Sequence, residues 1–251
     1  MTDRRDDMLE RLLVDAGVGP GMRVVDLGCG RGDVTLLVAR LVGPVGKVIG
    51  VDRDAAALAH AHGRVADLGI THVELIEGDA ATVDLAPGRF DAVVGRRVLM
   101  YVPTPAAALR HLARALRPGG LMVFQEQDAT MVPRAVAPLP LHEQVHAWIW
   151  RTVEREGADL HMGFHLAATL EGAGLIVEQV RAEAVVQTPH TRHPMAQIVR
   201  AMLPRIVAHG VATAAELDVD TLEQRLIDER TAANATYVGD MIFGAWARTP
   251  A

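Results

Sequence analysis

A single cysteine, Cys29, stands in the 251-residue chain, so no disulfide can close within it and a reducing compartment is expected. Runs of Lys or Arg are missing as well, in a chain of formal net charge -6. That absence argues against a nucleic-acid partner and against an anionic membrane surface. No apolar run approaches the length of a membrane span, and residues 1–7 are charged with no apolar core after them. The expectation is a soluble cytoplasmic protein. Internal repeats, low-complexity tracts and a second-domain linker are also missing, and half of the residues are apolar, so 1–251 reads as one domain with additions.

What the chain does have is the stretch Val24-Val25-Asp26-Leu27-Gly28-Cys29-Gly30-Arg31-Gly32-Asp33. An apolar run that ends in acid and breaks into three alternating glycines reads as a buried strand turning sharply into a helix. Gly28, Gly30 and Gly32 carry no Cβ, so a ligand can approach the backbone closely. A dinucleotide fingerprint would need its third glycine at position 33, where Asp33 stands.

The spelling Asp-x-Gly-x-Gly-x-Gly resembles the first motif of the class I S-adenosylmethionine-dependent methyltransferases. The likeness continues in order to about Glu126. Residues 47–52 form an apolar strand ending in Asp52, 20 residues beyond Gly32, where a carboxylate can accept both hydroxyls of a ribose; the family gives it that role. Residues 72–76 lead into Glu77-Gly78-Asp79-Ala80, and the resemblance implies that Asp79 accepts the adenine amino group. A fourth strand, 90–94, opens into Gly95-Arg96-Arg97-Val98, and Leu116-Arg117-Pro118-Gly119-Gly120 introduces a fifth at 121–124.

The resemblance therefore implies a Rossmann-like α/β fold: a seven-stranded, mostly parallel sheet with helices on both faces, S-adenosylmethionine as cofactor, and a small-molecule substrate. An N-terminal helix at 1–21 precedes a cofactor-binding core at 22–128, and helical lid segments or additions occupy 129–165 and 190–236. The expected cofactor residues are Asp26, which would receive the ammonium group, with Gly28, Gly30, Gly32, Asp52, Arg53, Gly78, Asp79, Ala80 and Arg96. Arg96 could equally form a salt bridge with a neighbouring acid.

Further along, helices are expected at 6–17, 55–68, 106–116, 164–171, 195–207 (interrupted by Pro204) and 221–233. A sixth strand is expected at 175–180 and a last, antiparallel one at 241–247. Residues 129–140 are Pro-rich and read as irregular. A helix at 141–156 carries His142, His146, Trp148 and Trp150 and resembles the substrate lid of small-molecule methyltransferases. Candidates for the chemistry are Glu126, His142 and Tyr101 as catalytic residues, and Arg97, Asp128, His146, Trp148, His161 and His165 toward the substrate.

His142-Glu143-Gln144-Val145-His146 spells His-Glu-x-x-His, but no third ligand is tied to it, and no metal is expected. The Asn/Asp-Pro-Pro-aromatic loop of the nucleic-acid amino-group methyltransferases is missing after strand four. Arginine stands where catechol-type enzymes need a metal-binding acid. A small organic acceptor remains, closest to the ubiquinone/menaquinone-biosynthesis type and related natural-product enzymes. Carbon, oxygen and nitrogen acceptors are not separated, and oligomeric state, a homodimer included, stays open. The rival readings are a non-methylating enzyme on the same fold, a cofactor-binding regulatory module and an oxidoreductase.

Overall fold

The computed structural model describes residues 4–130, 134–191 and 195–250. Residues 131–133 of the stretch read as irregular, residues 192–194 of the 190–236 segment, and the first three residues of the N-terminal segment lie outside the described residues. The chain divides into two compact units: Met1–Glu126 with Met162–Ala182 and Phe243–Ala251, and Gln127–His161 with Glu183–Ile242. The division is hidden in the sequence because three strands run across the boundaries, leaving no polar linker to mark them.

The first unit is built on β1 (Arg23–Leu27), β2 (Lys47–Asp52), β3 (Val73–Glu77), β4 (Phe90–Arg96) and β5 (Leu116–Gln127). Their order is β3-β2-β1-β4-β5, continued by β8 (Tyr237–Arg248), with β7 (Ile176–Gln187) paired to β8. The pairs from β3 to β5 are parallel, with Val25 opposite Ile49 on one side and Val93 on the other. This is the mostly parallel α/β sheet that the alternation of strands and helices implies.

Burial on both faces explains why these strands are apolar throughout rather than alternating. Val24, Val48, Ala92, Val94, Leu121 and Val123 pack against Leu9, Leu12 and Leu13 of α1 (Arg4–Ala16) and against Val34, Leu37 and Val38 of α2 (Asp33–Val42). The alternate set, Val25, Val93, Met122 and Phe124, is equally buried. α3 (Ala55–Asp67) packs on β2 and β3, and α4 (Pro105–Ala113) on α6 (Met162–Gly172). Asp54 caps α3 by accepting the amides of Ala56 at 2.9 Å and Ala57 at 3.1 Å.

Several boundaries differ from the sequence reading. The fourth helix stops at Ala113, and β5 starts at Leu116. Leu116 pairs with Phe90 and Leu121 with Ala92, so Arg117 to Gly120 bulge out of the ladder; the Pro-Gly-Gly turn sits inside the strand instead of before it. β7 and β8 are longer at 12 residues each, and Met162 to His165, expected in the lid, belong to α6 of the first unit.

The second unit packs α5 (Pro140–Arg155), α7 (Met195–Ala208) and α9 (Leu222–Ala233) on one another. A two-residue strand, β6 (Arg134–Ala135), lies in the stretch read as irregular and pairs antiparallel with Tyr237 and Val238, bringing the sheet to eight strands among the described residues. Pro204 does not interrupt α7: the helix continues to Ala208 with Met202 and Ile206 buried on either side, absorbing the one missing N–H. The short α8 (Ala214–Leu217) opens on a capping box of Thr213 and Glu216. Among the described residues no helix is long and apolar enough to cross a membrane.

The join between α2 and β2 leaves no room for a side chain at Gly46. A Cβ on Gly46 would stand 2.7 Å from the Met22 carbonyl oxygen and 2.7 Å from Val42 Cβ, both tied to the backbone frame. Gly46→Ala should therefore destabilise by about 1–3 kcal/mol, lowering Tm by roughly 3–10 °C in calorimetry. An unchanged Tm would show that this join can give way.

Candidate functional site

The carboxyl ends of β1 to β4 surround a crevice of about 430 Å³ in the first unit. Leu27 and Gly28, at the start of the glycine loop, form its floor, while Gly30 and Gly32, expected with them, do not line it. Gly28, Gly30 and Gly32 all have positive φ, at 65°, 50° and 86°. At Gly28 space is as binding as conformation, because a Cβ there would stand 2.4 Å from Val98 Cγ2.

Asp52, at the tip of β2, ties that loop. Its Oδ2 accepts the Gly30 amide at 2.7 Å and its Oδ1 accepts the Asp54 amide at 2.9 Å. The same half-buried carboxylate lines the crevice, so its remaining lone pairs face a ligand space. Asp79 turns the end of β3 by accepting the Ala81 amide at 2.8 Å and is exposed on the opposite lip. Arg53, Gly78, Ala80, Arg97 and Tyr101, all expected at the site, also line the crevice. Val98, Val102 and Pro103, on the stretch after β4, and Thr104 form a wall, though none of the four was expected as an individual site residue. Apolar and backbone linings leave no residue-type signal.

Two other acids stand apart. Asp26 is fully buried beneath the loop and accepts the Thr35 hydroxyl at 2.6 Å. It does not line the crevice, although its Oδ1 has no hydrogen-bond partner among the described residues. Burial pushes its carboxyl up to about 7, against the lowering effect of the Thr35 hydrogen bond and of the Arg96 guanidinium. Arg96 thus acts on Asp26 electrostatically and is not a lining residue. Glu126 is likewise fully buried and accepts the amides of Val98 at 3.0 Å and Leu99 at 2.9 Å. Burial raises its carboxyl to about 7 in spite of those bonds. The Cys29 thiol is pushed well up by burial, which leaves it protonated and inert.

The turn above Glu126 contains Arg97 at φ 54°, a left-handed conformation that costs about 1–2 kcal/mol for a residue with a Cβ. The Arg97 amide donates to the Gln125 carbonyl at 2.9 Å, and the short 3-10 turn Leu99–Tyr101 follows.

The remaining candidates lie in the second unit, except His165, which is exposed on α6. His142 is buried against Glu229 at 2.6 Å, and the same carboxylate accepts the Leu141 and His142 amides, so the pair closes the start of α5. Burial lowers the His142 pKa, with Glu229 opposing it. Trp150 donates to His146 at 3.0 Å, and Asp240 stands 3.2 Å from the same nitrogen. The two histidines of His-Glu-x-x-His therefore face different acids. No group of three or more potential metal-holding side chains occurs among the described residues. Trp148 is buried in the same unit, and Asp128, also buried, holds Thr130 and stands 3.6 Å from His161.

Raised carboxyl pKa values have a signed consequence for stability. The native state holds the protons of Asp26 and Glu126 up to about pH 7, whereas the unfolded chain releases them near 3.8 and 4.5. The native state thus binds more protons over that interval. Their stabilising contribution is complete below the unfolded values and is lost as pH rises through about 7. Glu126→Gln, which cannot ionise, should gain on wild type in Tm by roughly 3 °C or more between about pH 5 and pH 8 in a melting series. A difference independent of pH would contradict the raised value.

A methyltransferase domain model matches residues 19–164, more than half of the chain. Over 124 residues the chain is 33% identical to demethylmenaquinone methyltransferase of Staphylococcus aureus, covering 49% of this chain and 51% of that one. It spans about half the length, or less, of the curated relatives it matches. In fold it is similar to a solved S-adenosylmethionine-dependent methyltransferase of Aquifex aeolicus, with TM-score 0.58, 18% identity and 99% of both chains covered. It is also similar to a (4+2)-cyclase, with TM-score 0.61, 20% identity, 98% of this chain and 80% of that one. At those identities the structural likeness speaks for the fold alone. With the domain match added to the glycine loop and the strand-tip acids, the chain belongs to the class I S-adenosylmethionine-dependent methyltransferases, and S-adenosylmethionine is its cofactor.

Proposed function

We propose that the protein transfers the methyl group of S-adenosylmethionine to a small organic acceptor at the carboxyl edge of β1 to β4. The observation that carries this reading is Asp52, which fixes the glycine loop through Gly30 while presenting the same carboxylate to the crevice. The residues fit the cofactor. The volume of about 430 Å³ lies within the usual range for small-ligand sites. Gly28 leaves open backbone in the floor, and carboxylates stand at two lips where hydroxyl and amino donors need acceptors.

When bound, S-adenosylmethionine supplies an electrophilic methyl on a sulfonium, lost by in-line displacement with a neutral leaving group. The chain's own task is to hold and align. Asp52 receives the ribose hydroxyls, Asp79 the adenine amino group, and the Gly28 backbone admits the aminoacyl chain. Tyr101 and Arg97 stand on the wall after β4, where Tyr101 offers a hydroxyl and Arg97 a cation to the acceptor. The similarity to demethylmenaquinone methyltransferase supports a flat, quinol-like acceptor, and Arg96 and Arg97, at and just past the end of β4, favour metal-independent transfer.

Removing the Asp52 carboxylate deletes charge-assisted hydrogen bonds to a ligand. Asp52→Ala should weaken S-adenosylmethionine binding about 10–100-fold in calorimetric titration, with circular dichroism unchanged. Equal affinity would remove Asp52 from the site. The transfer itself is checked by incubating the protein with isotopically labelled cofactor and a panel of phenols, quinones, amines and enolisable acids, read by mass. A labelled methyl in one acceptor, with S-adenosylhomocysteine released, is the expected result. Conversion of an acceptor without cofactor consumption would point instead to the non-methylating chemistry that this fold also hosts.

A further inference from the structure

Glu126, at the end of β5, is fully buried and does not line the cofactor crevice, yet one of its carboxylate oxygens holds the crevice wall. Its Oε1 accepts two successive amides, Val98 and Leu99, from the turn that leaves β4. The amide before them, Arg97, is held by the Gln125 carbonyl, and the Tyr101 amide closes on the Val98 carbonyl at 3.0 Å. The end of β5 thus fixes a turn whose first residue is in the left-handed region. Such a conformation persists only where its surroundings over-determine it.

The turn delivers the Val98 side chain into a gap between two glycines. A Cβ on Gly28 would lie 2.4 Å from Val98 Cγ2, and one on Gly95 would lie 2.8 Å from Val98 Cγ1. Gly28 and Val98 both line the crevice. A chain of contacts therefore runs from the Glu126 carboxylate, through the Val98 amide and side chain, to the floor of the cofactor loop.

On the reading that this crevice takes S-adenosylmethionine, we infer that Glu126 is a positioning residue for the cofactor and not a base for the acceptor. It sets the Val98 wall against Gly28. A general base must come within hydrogen-bond reach of the proton it takes. Neither Glu126 oxygen is exposed: Oε1 is committed to the backbone, and Oε2 is enclosed with no hydrogen-bond partner among the described residues and does not reach the crevice.

The test compares Glu126→Gln with Glu126→Ala, using S-adenosylhomocysteine titration for binding and kcat on any acceptor found. The Gln amide oxygen can accept the same two amides, so Glu126→Gln should keep Kd and kcat within about threefold of wild type, while Glu126→Ala raises Kd about tenfold or more. A kcat lowered about a hundredfold in Glu126→Gln at unchanged Kd would make Glu126 a base and overturn the inference. Wild-type affinity in Glu126→Ala would overturn it too. Hydrogen exchange on the wild-type chain needs no variant: the Val98 and Leu99 amides, outside any ladder, should exchange slowly, and more slowly with S-adenosylhomocysteine bound. Fast exchange of both would count against the latch. If wild type binds no S-adenosylhomocysteine, the cofactor reading itself falls and the inference with it; binding by wild type with no difference among the variants defeats the inference alone.

Discussion

A short hydrogen bond from the Gly30 amide to the Asp52 carboxylate at 2.7 Å, seconded by the Cys29 amide on the Val51 carbonyl at 3.0 Å, ties the loop after β1 to the end of the neighbouring β2 and gives the crevice its shape. β1 and β2 lie side by side in parallel, so the chain leaving β1 must turn upward beside the tip of β2. A glycine loop can make that turn only at positive φ, and without a tether it would have many conformations to choose from. The carboxylate selects one. It also holds the start of the chain toward α3 through Asp54, so loop, strand tip and helix entry are fixed by one side chain.

Burial separates four acids of the first unit into two kinds. Asp52 and Asp79 reach the crevice and meet solvent or ligand. Asp26 and Glu126 are enclosed, with carboxyls pushed up to about 7, and each is spent on internal order: Asp26 on the Thr35 hydroxyl of α2, Glu126 on the turn after β4. Residue type alone does not separate them. Desolvation does, because a charged carboxylate without compensation is costly in the interior whereas a strand tip at the sheet edge keeps its water.

Local pattern carried most of the fold. β2 occupies 47–52 as its apolar run and terminal acid require, and Asp54 caps α3 as its position before an alanine-rich run implies. The crevice residues from Gly28 through Asp79 were legible for the same reason: strand ends announce themselves by a change from apolar to Gly and acid. What could not be read depends on partners distant in sequence. The bulge at Arg117 to Gly120 follows from pairing with Phe90, and β6 exists only because Tyr237 and Val238 lie beside it. Nor could the pairing of His142 with Glu229, 87 residues away, be read from the sequence. Glu126 stands out by its position at the end of β5, but its partners, backbone amides, leave no trace in residue identity.

The most direct measurement is a crystal structure of the protein grown with S-adenosylhomocysteine. The account places the ligand across the tips of β1, β2 and β3, its ribose hydroxyls on Asp52, its adenine edge toward Asp79 and its aminoacyl chain over Gly28. Density for the ligand elsewhere on the chain, or a ribose turned away from Asp52, would contradict it.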